Sequence, residues 1–292
     1  MNVDLFLQYL ANGVVVGSTY VLVAVGLTLV FGILGVVNFA HGEFYMLGAY
    51  AGITAVTVLG LPLLPALAVV VAVAVILGWG AETILHKPLK NRDATSSIIS
   101  SFGLAVVLQN AALLTFGPRP LLLETSYSNI GVELGPVYLP VQRLLIPVAM
   151  VVLIAALHIV LRYTWTGRSL RAMAQHATVA RLCGVRVQRV AVVTFMVAAI
   201  LAGIAGFLMS SVYMVHPVIG NMIVLKAFTV VILGGMGSIG GAAAAGLLLG
   251  IAESMTSAYL GNSLRDIVGF FVVIAVLLLR PQGLFGKTVD RS

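Results

Sequence analysis

Seven ionisable side chains fall within or beside apolar stretches of this chain: His41, Glu43, Glu82, His158, Lys226, Glu253 and Asp266. A charge at membrane depth costs about 2.5 kcal/mol or more on insertion scales, so each is a working group or one held near a span end. Most lie near expected span ends, where snorkelling or capping accounts for them. His41 and Glu43 are a special case, because they follow Asn38 in the segment NFAHGEFYMLGAY at 38–50. Asn38 is placed to cap a helix, and Glu43 then lies in the first turns, where the helix dipole favours an anion. Local pairing or capping is one role for these residues. The other is to line or gate a pathway, since a broken helix persists inside a bundle only where protein or a water-filled cavity covers it.

Bond-making chemistry finds no equipment. HGE at 41–43 lacks the paired histidines of a zinc motif. Ser238 lacks a nucleophile elbow, because Met236 occupies the first glycine position. PQGLFGKT at 281–288 approaches a phosphate-binding loop, but Pro281 stands where the first glycine belongs and no strand precedes it. The chain is therefore not expected to bind ATP by that route. No catalytic residue, cofactor or metal ligand is assigned.

The elements that must position these residues are membrane spans. Of 292 residues, 61% are hydrophobic and 9% charged, against about 25% charged in soluble domains. Apolar runs of about 20 residues recur along the chain, so the solvent is a bilayer. The formal charge of +7 does not indicate nucleic acid, because the basic residues sit in short loops between apolar runs, the positive-inside pattern. Cys183 is the single cysteine, which excludes an internal disulfide. Met1–Asp4 has no basic residue, so the first span is expected to act as its own insertion signal.

About eight apolar stretches are expected, and the fold class is all-α, a polytopic helical bundle in one membrane domain over residues 1–292. Gly13 and Gly17 in the first run, and Gly246 and Gly250 near the end, form small-residue faces that let helices approach closely. Two stretches are glycine-interrupted, around 32–44 and at GGMGSIGG, 234–241. Glycine at that density breaks a helix, and Ser238 is available to cap the next one. One such interruption in each half is the pattern of a transporter repeat, although no sequence periodicity accompanies it. Both breaks serve close packing, or else they aim helix N-termini at a passing carboxylate, with Asn38, His41, Glu43, Gly237 and Ser238 as path or gate. The chain is expected to end inside the cell on Arg280, Lys287 and Arg291, with the segment 221–253 re-entering or crossing twice.

Residues 163–189 are the one long polar interruption of the second half. They carry Arg168, Arg171, Arg181, Arg186 and Arg189, and no Asp or Glu occurs between Glu133 and Glu253. Such a loop stays cytoplasmic. Leu170, Met173, Ala174 and Ala177 fall on one helical face. Thr178 is placed to cap a second short helix and Gly184 to stop it. A surface helix with an apolar stripe requires something to cover that stripe.

These residues carry a resemblance. NFAHGEFYMLGAY at 38–50, GRSLRAMAQHATVARLCGV at 167–185, GGMGSIGG at 234–241 and RPQGLFG at 280–286 together resemble the LivH-type permeases, the membrane subunits of branched-chain amino acid ABC transporters. The likeness covers essentially the whole chain. It departs at Gln175–His176, where an acidic residue is often found. The resemblance implies a non-catalytic permease subunit of the bacterial inner membrane that pairs with a sister permease to form the path. Two ATP-binding cassette subunits would hydrolyse ATP below it, and a soluble or lipid-anchored binding protein would deliver substrate from outside. It also implies coupling to the ATPases through Arg168, Leu170, Arg171, Met173, Ala174, Ala177, Arg181 and Gly184. The alternatives are an ABC permease for urea, short amides or another small solute, an ATP-independent secondary carrier, and a surface helix that anchors on anionic lipid.

Overall fold

Helix α1, Val3–Leu34, is apolar on every face, and such a helix belongs in the middle of a bundle. Every residue from 15 to 30 is buried. At 32 residues it is about 48 Å long, well beyond the hydrocarbon thickness of a bilayer. The computed structural model describes residues 3–90, 92–125, 130–280 and 283–285. After α1 come α2 (His41–Thr57), α3 (Leu63–Gly80), a π-helical turn (Ala81–His86) and α4 (Lys87–Leu89), the last three forming one continuous rod. Helix α5 (Ala94–Phe116) leads to a hairpin of β1 (Gly131–Leu134) and β2 (Val137–Pro140). Next along the chain are α6 (Val141–Tyr163), α7 (Trp165–Gln175), α8 (Ala177–Leu182), α9 (Val187–Met209), α10 (Ile219–Gly234), α11 (Ile239–Tyr259) and α12 (Arg265–Leu279).

Two ends of the bundle are defined by contacts at the ends of α1. Gln8 exchanges two hydrogen bonds with the Tyr138 backbone, at 2.9 and 3.0 Å, so α1 starts at the hairpin end. Ile33 and Leu34, at its other terminus, pack on a cluster of Leu170, Met173, Val187 and Val190, so α1 finishes beside the arginine-rich segment, at the basic end.

Glycine sets how closely the helices approach. A Cβ on Gly13 would lie 2.7 Å from Ile251 Cα, and one on Gly17 would lie 2.9 Å from Leu247 Cα. Helix α11 reciprocates, with Gly246 against Val21 and Gly250 against Gly17. The two small-residue faces expected from the sequence are thus the two sides of one interface. Helices α2 and α9 cross in the same manner, Gly48 on Gly203 and Gly206 on the Tyr45 carbonyl.

Both glycine-rich interruptions are breaks. Helix α1 stops at Leu34, Gly35 adopts φ +67°, and α2 begins at His41. Helix α10 stops at Gly234, Gly235 and Gly237 take φ of +97° and +86°, and Ser238 caps α11 by accepting from the Gly241 N–H at 3.1 Å. The segment 221–253 therefore makes a helical hairpin. The local details depart from expectation in two places. The capping position of α2 is Ala40, and Asn38 acts two residues earlier, its Oδ1 accepting from the Ala40 N–H at 3.1 Å. Helix α8 begins at Ala177 after His176, so Thr178 lies inside it, although Gly184 follows at φ +84° as its stop required. The rod that starts at Leu63 carries on through Lys87 to Leu89. Lys287 and Arg291, and the side chain of Asp266, lie outside the described residues.

Among the described residues six helices are long and apolar enough to cross a membrane: α1, the α3–α4 rod, α5, α6, α9 and α11. The protein is a multi-pass, all-α membrane protein.

Candidate functional site

Asn38, His41 and Glu43 come together in the interior, at 0%, 0% and 1% exposure. His41 Nε2 lies 3.0 Å from the Val23 carbonyl of α1, and its ring fills the space left by Gly26. Glu43 packs against Gly220 of α10, where any side chain would collide with its carboxylate. His41 and Glu43 do not pair with each other among the hydrogen bonds of the described residues. Among those residues, Asn38 Nδ2, His41 Nδ1 and Glu43 Oε2 are buried without a partner. Gly237 and Ser238 are elsewhere, at the basic end, where Gly237 rests on Gly32 of α1. The five residues expected to form one path or gate therefore occupy two separate places.

A cavity of about 600 Å³ has different walls, among them Tyr20, Tyr45, Met209, Tyr213, Lys226 and Arg265. Beside it lies a buried ionic cluster that the sequence did not signal as a unit. Glu253, fully buried, accepts from Tyr20 Oη at 2.8 Å and from Arg265 Nε at 3.0 Å, and it pairs closely with Lys226 Nζ. Arg265 also reaches the hydroxyls of Tyr213 and Tyr20, each at 3.4 Å. Five of the seven in-span ionisable residues are buried inside the bundle, so their side chains do not snorkel to its surface. Lys226, Glu253, His41, Glu43 and Glu82 are all buried, at 8% exposure or less. His158 is exposed. A readable signal existed for two cluster members, since Lys226 and Glu253 are opposite charges in apolar surroundings. Tyr20 and Arg265 gave none.

At the basic end, α7 starts on Thr164, whose Oγ1 accepts from the Gly167 N–H at 3.0 Å. Gly167 is required there because a Cβ would overlap the Val160 and Leu161 carbonyls. The eight residues expected to couple divide by exposure. Leu170 and Met173, at 5% and 6%, face the bundle's own Ile33, Leu34, Leu161, Val187 and Val190. Their stripe is covered from within. Arg168, Arg171, Ala174, Ala177, Arg181 and Gly184 are exposed. Beside them two apolar side chains not singled out from sequence, Val179 at 52% and Leu182 at 83%, also point outward. Arg168 lies over the Trp165 ring at 4.2 Å. Behind this elbow a second cavity, of about 330 Å³, is bounded by Met173, Ala177, Arg181, Glu82, His86 and Gln188. Gln188 Nε2 holds Glu82 at 2.7 and 2.8 Å, and His86 Nδ1 lies 2.9 Å from Ser97 Oγ.

A multi-pass bundle with two interrupted helix pairs, a buried ionic cluster and an arginine-faced elbow packed on its spans is the build of a membrane permease. Residues 9–277 match the family model described as the permease component of the branched-chain amino acid transport system, and the chain belongs to that family. It is 39% identical over 97% of its length to the high-affinity branched-chain amino acid transport system permease protein LivH of Escherichia coli, covering 96% of that protein. To BraD of Pseudomonas aeruginosa, of the same description, it is 36% identical with the same coverage. The Escherichia coli permease LivM is 26% identical over 92% of this chain and 68% of its own. Among solved structures, PsaBC from Streptococcus pneumoniae in complex with Fab superposes with a TM-score of 0.52 at 11% identity, covering 95% of this chain and 94% of that one. That likeness concerns the fold.

Proposed function

We propose that this chain is a transmembrane permease subunit of an ATP-driven importer that moves branched-chain, hydrophobic amino acids across the inner membrane. The observation that carries the reading is the family match over residues 9–277, in a chain whose basic elbow is both rigidly seated and outwardly charged. The permease itself is non-catalytic and holds no cofactor, and ATP is bound and hydrolysed by two cassette subunits. A binding protein delivers substrate at the hairpin end. A sister permease completes the path, and the likeness to both LivH and LivM supports a non-identical partner.

The whole chain is one permease domain, with residues 163–189 its cytoplasmic coupling segment. The basic end then faces the cytoplasm, because Lys and Arg are retained there. The long helices α1, α3–α4, α5, α6, α9 and α11 are full passes. Helices α2, α10 and α12, of 17, 16 and 15 residues, would add shorter ones and make nine, against about eight expected.

Coupling runs through the exposed face of the elbow: Arg168, Arg171, Ala174, Ala177, Arg181 and Gly184, joined by Val179 and Leu182. Leu170 and Met173 serve by fastening α7 to α1 and α9, so that force on the elbow reaches the spans. Asn38, His41 and Glu43 hold α2 against α1 and α10, at a place where the path would change shape. Gly237 and Ser238 set the α10–α11 turn. A secondary carrier is the rival that the buried Lys226–Glu253–Arg265 cluster favours, since such carriers keep ionisable groups inside the bundle.

Reconstitution tests the proposal. Vesicles holding the complete complex should accumulate leucine, isoleucine or valine only with ATP inside and binding protein outside. Uptake by this polypeptide alone without ATP would establish the carrier, and ATP-dependent uptake of urea or amides but not amino acids would establish the other permease class.

A further inference from the structure

The guanidinium of Arg265 is used unevenly. Its Nε donates a well-formed hydrogen bond to Glu253 Oε2 at 3.0 Å. Among the described residues its two Nη nitrogens reach only tyrosine hydroxyls, Tyr213 and Tyr20, both at 3.4 Å. That length is at the outer limit of a useful hydrogen bond. The Tyr20 hydroxyl already donates to Glu253 at 2.8 Å. The Arg265 side chain is partly open, at 23% exposure, whereas the carboxylate that holds it is fully buried. Arg265 borders the cavity of about 600 Å³, so a fixed fork of N–H donors stands at the wall of a space large enough for a small molecule.

The rest of that wall is of another kind. Met209, Met214, Met222, Ile219 and Ile223 also line the cavity. Such a surface suits an aliphatic group, and methionine adapts to branched shapes. A compartment with an arginine fork on one side and aliphatic walls elsewhere matches a small anion with a hydrocarbon tail.

We propose that Arg265 receives the α-carboxylate of a hydrophobic amino acid in this cavity, its aliphatic side chain lying against Ile219, Ile223 and the methionines. A carboxylate accepts from both Nη atoms of one guanidinium in parallel, the strongest pairing available to it. Two 3.4 Å contacts to neutral hydroxyls give way to it readily. Glu253 is a positioning residue here: it clamps Nε and so aims the Nη edge. The inference rests on the amino acid importer reading and adds the point at which the permease itself holds the substrate.

Cysteine protection in the assembled complex tests it. Met222→Cys, on the cavity wall at a half-exposed position, is made in a Cys183→Ser background, which removes this chain's one native thiol. Its alkylation rate is followed against L-leucine, L-leucinamide and 3-methylbutylamine, without ATP or binding protein. Leucine should protect, and the two compounds lacking a carboxylate should need about 10- to 100-fold higher concentration, the range carried by a charge-assisted hydrogen bond. Arg265→Lys keeps the charge beside Glu253 but removes the fork, and should weaken leucine protection about 10-fold while leaving that by 3-methylbutylamine unchanged. Equal protection by leucine and leucinamide in the otherwise native complex overturns the proposal, and needs no Arg265 variant to fold. ATP-driven leucine uptake by the unmodified complex is measured in parallel. If uptake is present and protection is indifferent to the carboxylate, the inference alone fails. If no branched-chain amino acid is taken up, the importer reading fails and carries the inference with it.

Discussion

At the scale of single residues, the buried ionic cluster is where one atom change has the largest effect. Glu253 is fully buried and holds Lys226, Arg265 and the Tyr20 hydroxyl together. Removing one partner from a buried ion pair costs about 3–5 kcal/mol, because a desolvated charge is left behind. Glu253→Ala should therefore lower the thermal unfolding midpoint of the purified complex sharply. Glu253→Gln, which still accepts hydrogen bonds, should fall between it and the native protein, and equal midpoints for all three would show that the cluster carries no stability. The sequence reading reached part of this site and missed the rest for a physical reason. Ser238, away from this cluster at the basic end, was legible because a cap is a local event, settled within three residues. Lys226 and Glu253 are 27 residues apart, a separation with no helical meaning, and they meet only because the Gly234–Gly241 break folds α10 back on α11. Arg265 follows from neither periodicity nor composition, since its role depends on α12 returning to the same spot.

At the scale of elements, glycine does two different jobs that sequence alone distinguishes poorly. In α1 and α11, Gly13, Gly17, Gly246 and Gly250 mark the closest helix approach, and a Cβ at any of them would meet the facing backbone or side chain at less than 3 Å. Gly17→Leu should separate the two helices and leave little assembled protein in the membrane, as judged by detergent size exclusion. Overpacking of even one or two methylenes costs about 1–3 kcal/mol in a tight core, and here backbone is the obstacle. Gly103 in α5 is the contrasting case, with nothing within 4 Å of the place a Cβ would take. Gly103→Ala should be neutral or stabilise by up to about 1 kcal/mol through helix propensity, read as a raised unfolding midpoint. Ser238→Ala should cost about 1 kcal/mol through the lost cap while leaving the break in place, because Gly235 and Gly237 keep their positive φ. The elbow teaches a related lesson about legibility. The spacing of Leu170 and Met173 correctly foretells an amphipathic helix. It does not reveal which neighbour covers the stripe, and that neighbour is the protein's own α1 and α9.

At the scale of the whole molecule, the question is how force applied at one end reaches the spans. Helix α7 is fastened to the terminus of α1 through Ile33 and Leu34, and to the start of α9 through Val187 and Val190. Helix α1 in turn is locked to α11 along its length by the glycine faces. On the proposed coupling role, a push on the elbow would act on α1 and α9 directly and on α11 through α1. This arrangement separates two classes of substitution that sequence reading would treat alike. Leu170→Asp places a charge in the seat of the elbow and should deplete folded protein. Leu182→Asp alters a side chain that is 83% exposed, so the subunit should fold and insert normally. If Leu182, Arg171 and Arg181 form the docking face, Leu182→Asp and the charge reversals Arg171→Glu and Arg181→Glu should each lower ATP-driven uptake about 10-fold, the equivalent of roughly 1.4 kcal/mol. Hydrolysis by the cassette subunits should persist and lose its dependence on substrate-loaded binding protein. Uptake and phosphate release measured in the same vesicles decide the matter. Unchanged ratios in all three variants would mean that the exposed arginines serve only to anchor the elbow on anionic lipid, for which lipid composition and not ATPase binding would be the controlling variable.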